Sequence, residues 1–431
     1  MAEIAPFGAL RFTAQAGEID KLVCPPYDII SDEQRKAYLS VNAHNIIRLE
    51  LPREGEDPYA QAGETLRQWL EEGALACDGQ PALYVYEEEF THRGQRLRVS
   101  GVICRVKLEE FSKGIVLPHE ETLSKAKTDR LNLMRATGCN FSQIYSLYHD
   151  EEGITAARLA ECRREKPLVE LTDGEGVTHR LWMVCNAEVI DAVVRDFASR
   201  KLDIADGHHR YETALNYRNE RRQQGLAQEG DACDSVMMML VDLENPGLVV
   251  YPTHRIVRDL AHFDEEEVIA ACGEFFDIER GLSLSEVSGR LDEAYSAGKK
   301  AFALYAGHAA SLLTLRSDAV MADLLPAASP ALRGLDVSIL HSLVLERIFG
   351  IDKANMANQL NLTYTRVFDE AVDAVDAGQA NCCFLLNPTR VSEIRDVAAA
   401  GEKMPQKSTY FYPKLITGLV MNQFDQPGRK A

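Results

Sequence analysis

The spacing of hydrophobic positions along the chain predicts a mixed α/β protein. Leu66, Trp69 and Leu70 recur at the spacing of one helix face and predict a helix at about 58–72. Two runs rich in β-forming residues, separated by Thr-His-Arg-Gly-Gln, predict a hairpin within 81–108. Further along, short apolar runs alternate with amphipathic segments, which is the pattern of strands and helices packed in layers.

The same pattern divides the chain into four expected regions. An N-terminal α/β region precedes a core of strands and helices, and a smaller α/β unit precedes a C-terminal helical region. The expected bounds are 1–150 for the N-terminal region with a charged loop, 151–260 for the core, 261–330 for the smaller unit and 331–431 for the helical region with a polar loop.

One stretch, KLDIADGHHRYETAL at 201–215, combines an apolar run with an acid, a glycine, two histidines and an arginine. We expect a strand, a tight turn at Asp206 and Gly207, and then a helix, because glycine permits a turn that other residues resist. The start of such a helix offers backbone N–H groups and a partial positive charge, and Arg210 adds a planar fork for phosphate oxygens. The alternative is an ordinary capped helix with histidines on its surface.

Each polar residue of this turn has a candidate role. Asp206 can cap the helix, hold Mg²⁺ or take a proton, and its position alone does not choose among these roles. His209 is a candidate catalytic residue. Gly207, His208 and Arg210 are candidate phosphate-binding residues. A zinc site is disfavoured because neighbouring residues of a helix point about 100° apart, so the two histidines do not easily reach one metal.

A second stretch, PHEETLSKAKTDR, gathers acids, bases and a histidine within thirteen residues. We interpret it as a charged loop over the phosphate-binding helix. Lys125, Lys127 and Arg130 are candidate cations for a phosphate. Glu120 is a candidate catalytic carboxylate, and His119 is a candidate substrate-binding residue. The alternative is a solvated charged loop without a function.

Two further segments carry candidate polar groups. MPQKSTYFYPKL contains Lys407, Ser408 and Thr409, which we interpret as a clamp for a phosphate or carboxylate. CPPYDII places two prolines before Asp28, which makes the approach to this acid rigid and extended. Asp28 is therefore a candidate substrate-binding residue.

The charge balance narrows the class of partner. With 66 acidic and 47 basic residues the formal net charge is -19, which repels a nucleic-acid backbone or an anionic membrane. We therefore expect a small-molecule partner, no nucleic acid and no membrane. The sequence shows neither a long apolar stretch nor a signal segment, and its cysteines are scattered with no CxxC pair, so we expect a cytoplasmic protein with reduced thiols.

The stretch DGHHRYETAL resembles the phosphate-binding helix of the ParB/sulfiredoxin superfamily, and within it the Asp-Gly-His-His-Arg signature of the free serine kinases. Over nearly its whole length, through segments such as CPPYDII, DRLNLMRATGCNFSQIYSLY and MPQKSTYFYPKL, the chain resembles an uncharacterised prokaryotic family. Members of that family are often encoded beside enzymes of phosphorylated serine biosynthesis, which implies serine or phosphoserine as a ligand. The resemblance implies an α/β (α+β) fold with a ParB/sulfiredoxin-like core and an additional α/β domain.

These features support one leading hypothesis and two alternatives. The leading hypothesis is a nucleotide-dependent phosphotransferase, similar to a free serine kinase, that uses ATP or ADP with Mg²⁺. Hydrolysis of phosphoserine at the same site is one alternative. A nucleotide-binding switch without small-molecule chemistry is the other. A homodimer is a further hypothesis.

Overall fold

The computed structural model describes residues 1–120 and 124–424, with the backbone alone for 124–126. The described residues fall into two compact units. The first comprises 1–118, 124–248 and 413–424, and the second comprises 119–120 and Val249–Tyr412. The four regions expected from the sequence stay a prediction.

The first unit combines strands and helices from both ends of the chain. Its strands are β1 Ile4–Ala5, β2 Leu10–Phe12, β3 Leu75–Cys77, β4 Leu83–His92, β5 Gln95–Lys107, β6 Val116–Pro118, β7 Cys139–Asn140, β8 Ile144–Tyr148, β9 Val169–Thr172, β10 Thr178–Val184, β11 Leu202–Asp206, β12 Ser235–Asp242 and β21 Asn422–Gln423. Its helices are α1 Asp32–Val41, α2 Ile47–Glu50, α3 Pro58–Glu71, α4 Ser124–Thr137, α5 Ile154–Cys162, α6 Ala187–Phe197 and α7 His208–Gln223.

One large sheet carries the core of this unit. Within the described residues its strand order is β6-β11-β8-β12-β5-β4-β10-β9, with β1 paired to β5. Most neighbours are antiparallel, whereas β11 runs parallel to β6 and β12 runs parallel to β8. Strand β12 is buried along nearly its whole length, which explains its uninterrupted apolar run of methionine, leucine and valine. Helix α6 adds Ile190, Val193 and Phe197 to the same core.

Local sequence sets the ends of the elements. Between β4 and β5, Arg93 and Gly94 have positive φ angles of 47° and 76°, as a two-residue hairpin turn requires. The Asp57 side chain caps α3 by accepting from the backbone N–H of Tyr59, and Pro58 begins the helix. The helix and the hairpin predicted from the sequence are therefore confirmed.

From Ser124 onward, the charged segment that the sequence indicated as a loop is helical. Helix α4 begins at Ser124, so Lys127 and Arg130 lie on a helix. Lysine, alanine, arginine, leucine and methionine favour helix, and this propensity outweighs the density of charge that indicated a loop. Helix α4 packs beside α7, where Lys127 Nζ donates to Glu212 Oε2 at 2.7 Å.

The second unit has its own strands and helices. Its strands are β13 Val249–Tyr251, β14 His254–Val257, β15 Phe276–Leu282, β16 Ala301–Tyr305, β17 Ala310–Leu315, β18 Leu362–Thr365, β19 Cys382–Leu386 and β20 Tyr410–Tyr412. Its helices are α8 Glu265–Cys272, α9 Leu284–Ser296, α10 Ala319–Leu324, α11 Pro330–Arg333, α12 Asp336–Ile339, α13 Lys353–Asn358, α14 Phe368–Asp376 and α15 Val391–Ala399. A π-helical stretch, Leu340–Glu346, continues α12.

The main sheet of the second unit has apolar cores on both faces. Its order is β15-β17-β16-β19-β14-β18 within the described part of the chain. Phe302 and Phe384 belong to one core, and Ala303 and Leu385 belong to the other. The sequence pattern did not predict β15, because this edge strand is mostly exposed and its Asp-Ile-Glu-Arg-Gly run is polar.

Both units confirm the mixed α/β class expected from the sequence. Among the residues that the structure describes, no helix has the length and the apolar character needed to span a membrane. Over the same residues, no disulfide joins the cysteines.

Candidate functional site

The strand, turn and helix predicted at 201–215 are confirmed. Strand β11 ends at Asp206, Gly207 adopts a left-handed conformation with φ 96°, and α7 begins at His208. A Cβ atom at Gly207 would lie 3.0 Å from the Arg210 guanidinium, so glycine lets this side chain fold back over the turn. No side chain among the described residues caps α7, and an uncapped helix start is the arrangement that binds anions.

The carboxylate of Asp206 lies between two cations. Arg210 Nη2 donates to Asp206 Oδ2 at 2.6 Å, and Lys414 Nζ donates to Oδ1. Arg210 Nη1 also donates to the backbone oxygen of Gln143 at 2.5 Å. These bonds use both carboxylate oxygens and fix an ammonium and a guanidinium at the start of α7.

This pairing decides the charge of Asp206. Burial opposes its ionisation, but Lys414 and Arg210 outweigh burial and hold the pKa of Asp206 well below its ordinary value. The group is therefore ionised at neutral pH and is a poor proton acceptor there. The geometry favours a role for Asp206 in orienting the two cations.

A second arginine is buried nearby in the same unit. Arg130 Nη1 donates to the backbone oxygen of Glu50 at 2.6 Å, and the two side chains lie 4.0 Å apart. The guanidinium stacks over the Tyr27 ring at 4.1 Å, and Ser142 Oγ donates to Glu50 Oε1 at 3.0 Å. Arg130 is only 6% exposed, so these contacts restrict its orientation.

The two arginines meet at one small cavity. This space of about 30 Å³ is lined by Arg130, Arg210, Glu50, Ser142 and Thr213, together with mostly apolar side chains. A cavity of this size holds about one water molecule. The Thr213 hydroxyl is fully buried and has no hydrogen-bond partner among the described residues. Burial raises the pKa of Glu50, whereas Arg130 and Arg210 act to lower it.

The other predicted residues of this unit lie in different settings. Asp28 is exposed in a short 3-10 turn. It directly follows Tyr27, whose ring stacks on Arg130. His208 is buried and His209 is half-buried. The Lys125 side chain lies outside the described residues.

The remaining predicted residues cluster within the second unit. Glu120 Oε1 accepts from the backbone N–H and the hydroxyl of Thr409, each at 3.0 Å. His119 Nε2 lies 3.0 Å from the same hydroxyl, and Ser408 Oγ donates to a backbone oxygen. Lys407 has a positive φ of 57° and an exposed side chain. The clamp segment is therefore held by the segment that contains Glu120.

Sequence reasoning missed Lys414, Glu50 and Ser142. Lys414 lies in the clamp segment MPQKSTYFYPKL, but the residues predicted to bind there were Lys407, Ser408 and Thr409. Glu50 interrupts an apolar run, Ile-Ile-Arg-Leu-Glu-Leu, and an acid in such a run is a signal of a buried charge. No local signal marks Ser142.

Fold and site together are those of a mixed α/β protein with a cationic site at a strand-to-helix turn. The chain belongs to the family described as Protein of unknown function (DUF1015), which matches residues 4–338. This confirms the resemblance to an uncharacterised family seen in the sequence. No curated protein matches the sequence significantly.

Solved structures that resemble the chain include a conserved hypothetical protein from Pyrococcus furiosus, with 14% identity, a TM-score of 0.35 and coverage of 70% of this chain and 89% of that chain. A free serine kinase in complex with AMP has 14% identity and a TM-score of 0.35, over 71% of this chain and 88% of that chain. A free serine kinase variant in complex with ADP has 13% identity and a TM-score of 0.36, over 71% and 89%.

Proposed function

We propose that the chain is a nucleotide-dependent phosphotransferase that acts on a small hydroxyl compound, with serine as the first substrate to test. The observation that carries the proposal is the Asp206 carboxylate held between Arg210 and Lys414 at the uncapped start of α7. A phosphate there would meet backbone N–H groups, the positive end of the helix dipole and two oriented cations. Phosphoryl transfer depends mainly on such positioning and charge neutralisation.

Glu50 suits the role of proton acceptor better than Asp206 does. A general base works best when its pKa approaches the operating pH, and burial moves the pKa of Glu50 in that direction. The pKa of Asp206 shifts in the opposite direction, because Lys414 and Arg210 stabilise its carboxylate. Arg130 acts against this shift in the pKa of Glu50, and its proposed contribution is a second buried guanidinium that would neutralise phosphate charge at the cavity that Glu50 lines.

A magnesium ion does not fit Asp206 in this arrangement, since both carboxylate oxygens are bonded to cations. In the described parts of the chain, no group of three or more histidine, cysteine, aspartate or glutamate side chains is placed to hold a metal. We therefore assign no step to a protein-bound metal. The assay contains Mg²⁺ as the counter-ion of the nucleotide.

The test is ³¹P NMR of the purified protein with serine, Mg²⁺ and either ATP or ADP, and separately with phosphoserine alone. Phosphoserine formed only with nucleotide is the expected result. Release of free phosphate from phosphoserine alone would show that the protein is a phosphatase and not a kinase. Nucleotide binding without either product would indicate a switch protein.

Site variants connect the activity to these residues. Glu50→Gln is expected to reduce turnover, because glutamine is not a useful proton acceptor, and Arg210→Ala is expected to weaken nucleotide binding. Arg135→Ala is the control, because Arg135 on α4 pairs with Glu220 on α7 and is 45% exposed, whereas Arg210 pairs with Asp206 at the site. The serine substrate, the cytoplasmic location and the homodimer stay predictions.

A further inference from the structure

The small cavity beside Glu50 receives polar side chains from three helices of the first unit. Helix α4 contributes Arg130, α7 contributes Arg210 and Thr213, and Glu50 is the last residue of α2. Ser142, between β7 and β8, completes the polar part of the lining. The volume of about 30 Å³ is far too small for a nucleotide or an amino acid, but it suits one water molecule.

The Thr213 hydroxyl can bond to a molecule in this cavity. A threonine inside a helix can donate to the carbonyl oxygen four residues earlier, as Thr137 on α4 does to Leu133 at 2.8 Å. Thr213 is 0% exposed, and its hydroxyl makes neither this bond nor any other with the described residues. A buried hydroxyl without a partner is costly in free energy, so a polar cavity beside it favours an ordered water.

Two further groups of the lining can bond to the same water. Arg130 Nη2 is in ionic contact with Asp129 Oδ2, but it has no hydrogen-bond partner in the described parts of the chain. Glu50 is only 2% exposed, and its Oε1 accepts from Ser142 Oγ. Because water both accepts and donates, one molecule can accept from the guanidinium and donate to the carboxylate while it bonds to the Thr213 hydroxyl.

We propose that this cavity binds one ordered water molecule, and that Thr213 is a positioning residue that orients this water toward Glu50. A hydrogen bond donated to a carboxylate stabilises its ionised form, so the water lowers the pKa of Glu50. The use of Glu50 as a proton acceptor rests on the proposed function, whereas the water and its bond to Glu50 do not.

Other charged and titratable groups also act on the Glu50 carboxylate. They come from α4, from α7 and from the segment before α1: Arg130, Arg210, Cys24, Tyr27 and Asp28. A substitution at Thr213 changes none of these groups. A shift in the pKa of Glu50 in such a variant therefore reports the hydroxyl and the water that it holds.

Thr213→Val is the test, because valine has nearly the same shape as threonine and lacks the hydroxyl. A high-resolution crystal structure of the wild-type chain is expected to show one water within hydrogen-bond distance of Thr213 Oγ1 and the Glu50 carboxylate. The Glu50 pKa is measured from the ¹³C shift of its carboxyl carbon, assigned by the signal that Glu50→Gln lacks. It is expected to rise by about one pH unit in Thr213→Val, the effect of one lost hydrogen bond. Thr213→Ser keeps the hydroxyl and is expected to keep the wild-type pKa.

Thr417→Val is the matched control. Thr417 is also completely buried in the first unit, and its hydroxyl also has no partner among the residues that the structure describes. It does not line the cavity, so Thr417→Val is expected to leave the pKa of Glu50 unchanged. Equal pKa shifts in the two valine variants, or a wild-type crystal structure without water in the cavity, would overturn the proposal.

The two proposals fail in different ways. An unchanged Glu50 pKa in folded Thr213→Val would overturn the positioning role, whatever reaction the protein catalyses. If the wild-type chain forms no phosphoserine but shows the water and the pKa shift, the positioning role stands and the proposed function fails. If phosphoserine forms, the acidic limb of the kcat pH profile is expected to move to higher pH in Thr213→Val, because a base with a raised pKa stays protonated to a higher pH.

Discussion

Replacing Glu88 by glutamine is expected to change how the stability of the first unit depends on pH. Glu88 is completely buried, with one carboxyl oxygen near Tyr86 and His179. In the part of the chain that the structure describes, its other carboxyl oxygen has no hydrogen-bond partner. Burial raises the pKa of Glu88 from 4.5 to about 7, and His179 and Tyr86 offset only part of this rise. The folded protein therefore keeps this proton at pH values where the unfolded chain has lost it.

Thermodynamic linkage between protonation and folding gives the sign and size of this pH dependence. Because the native state binds the proton more tightly, the contribution of Glu88 to the free energy of unfolding is complete below pH 4.5 and is lost as the pH rises toward 7. Each pKa unit corresponds to about 1.4 kcal/mol, so the loss amounts to about 3 kcal/mol. Glutamine does not ionise, and Glu88→Gln removes this dependence.

Urea unfolding from pH 5 to pH 8 measures the effect. The two tryptophans, Trp69 and Trp182, both lie in the first unit, so their fluorescence reports the unfolding of the unit that contains Glu88. Stability of the variant relative to wild type is expected to rise by roughly 2 to 3 kcal/mol over this range, most of it below pH 7. A difference that stays constant with pH would refute the reasoning.

A neighbouring residue supplies the control. Glu87, the preceding residue on β4, accepts from both Arg163 and Arg180 instead of facing His179. Glu87→Gln is expected to lower stability at every pH tested, because it weakens two bonds to charged donors. The contrast separates the titration of one buried acid from a general loss of polar contacts.

Two further substitutions test the turn and the second unit. Gly207→Ala is expected to lower stability by about 1 to 2 kcal/mol and to weaken ADP binding, because its Cβ would press on Arg210 at φ 96°. Gly225→Ala is expected to keep the binding, because at φ 70° its Cβ would meet no described residue within 4 Å apart from its chain neighbours. Urea titration and calorimetry measure both effects, and equal ADP affinity in the two variants would contradict the prediction. Arg255→Met is expected to destabilise the second unit by roughly 3 kcal/mol, because the buried guanidinium donates to Thr253, Lys407 and His341, at about 1 kcal/mol for each acceptor. Scanning calorimetry tests this prediction, with the exposed Arg347→Met as control, and an unchanged transition would contradict it.

The turn at Asp206 and Gly207 could be predicted because its signals are local. An apolar run, a glycine and a helix-forming segment lie within fifteen residues, and each limits the backbone near itself. Lys414 lies 208 residues from Asp206 in the chain, and no spacing rule connects them. Its place at the site depends on how residues 413–418 cross the unit, which only the packed fold determines.

The buried acids of β4 show a second limit. The run Glu87, Glu88 and Glu89 is typical of a solvated surface, yet all three are buried. Their partners come from other elements: arginines for Glu87 and Glu89, and the tyrosine and histidine network for Glu88. Such pairing leaves no periodic pattern along the strand, so the sequence did not indicate it.

Calorimetric titration of ADP into wild-type protein, Arg210→Ala and Arg135→Ala asks whether the Asp206 site binds phosphate. Arg210→Ala is expected to weaken binding by about 1.5 to 3 kcal/mol, the scale of a hydrogen bond to a charged group. Arg135→Ala is expected to bind as wild type does, because Arg135 pairs with Glu220 on the surface. Wild-type affinity in folded Arg210→Ala would contradict the assignment of the phosphate to the start of α7.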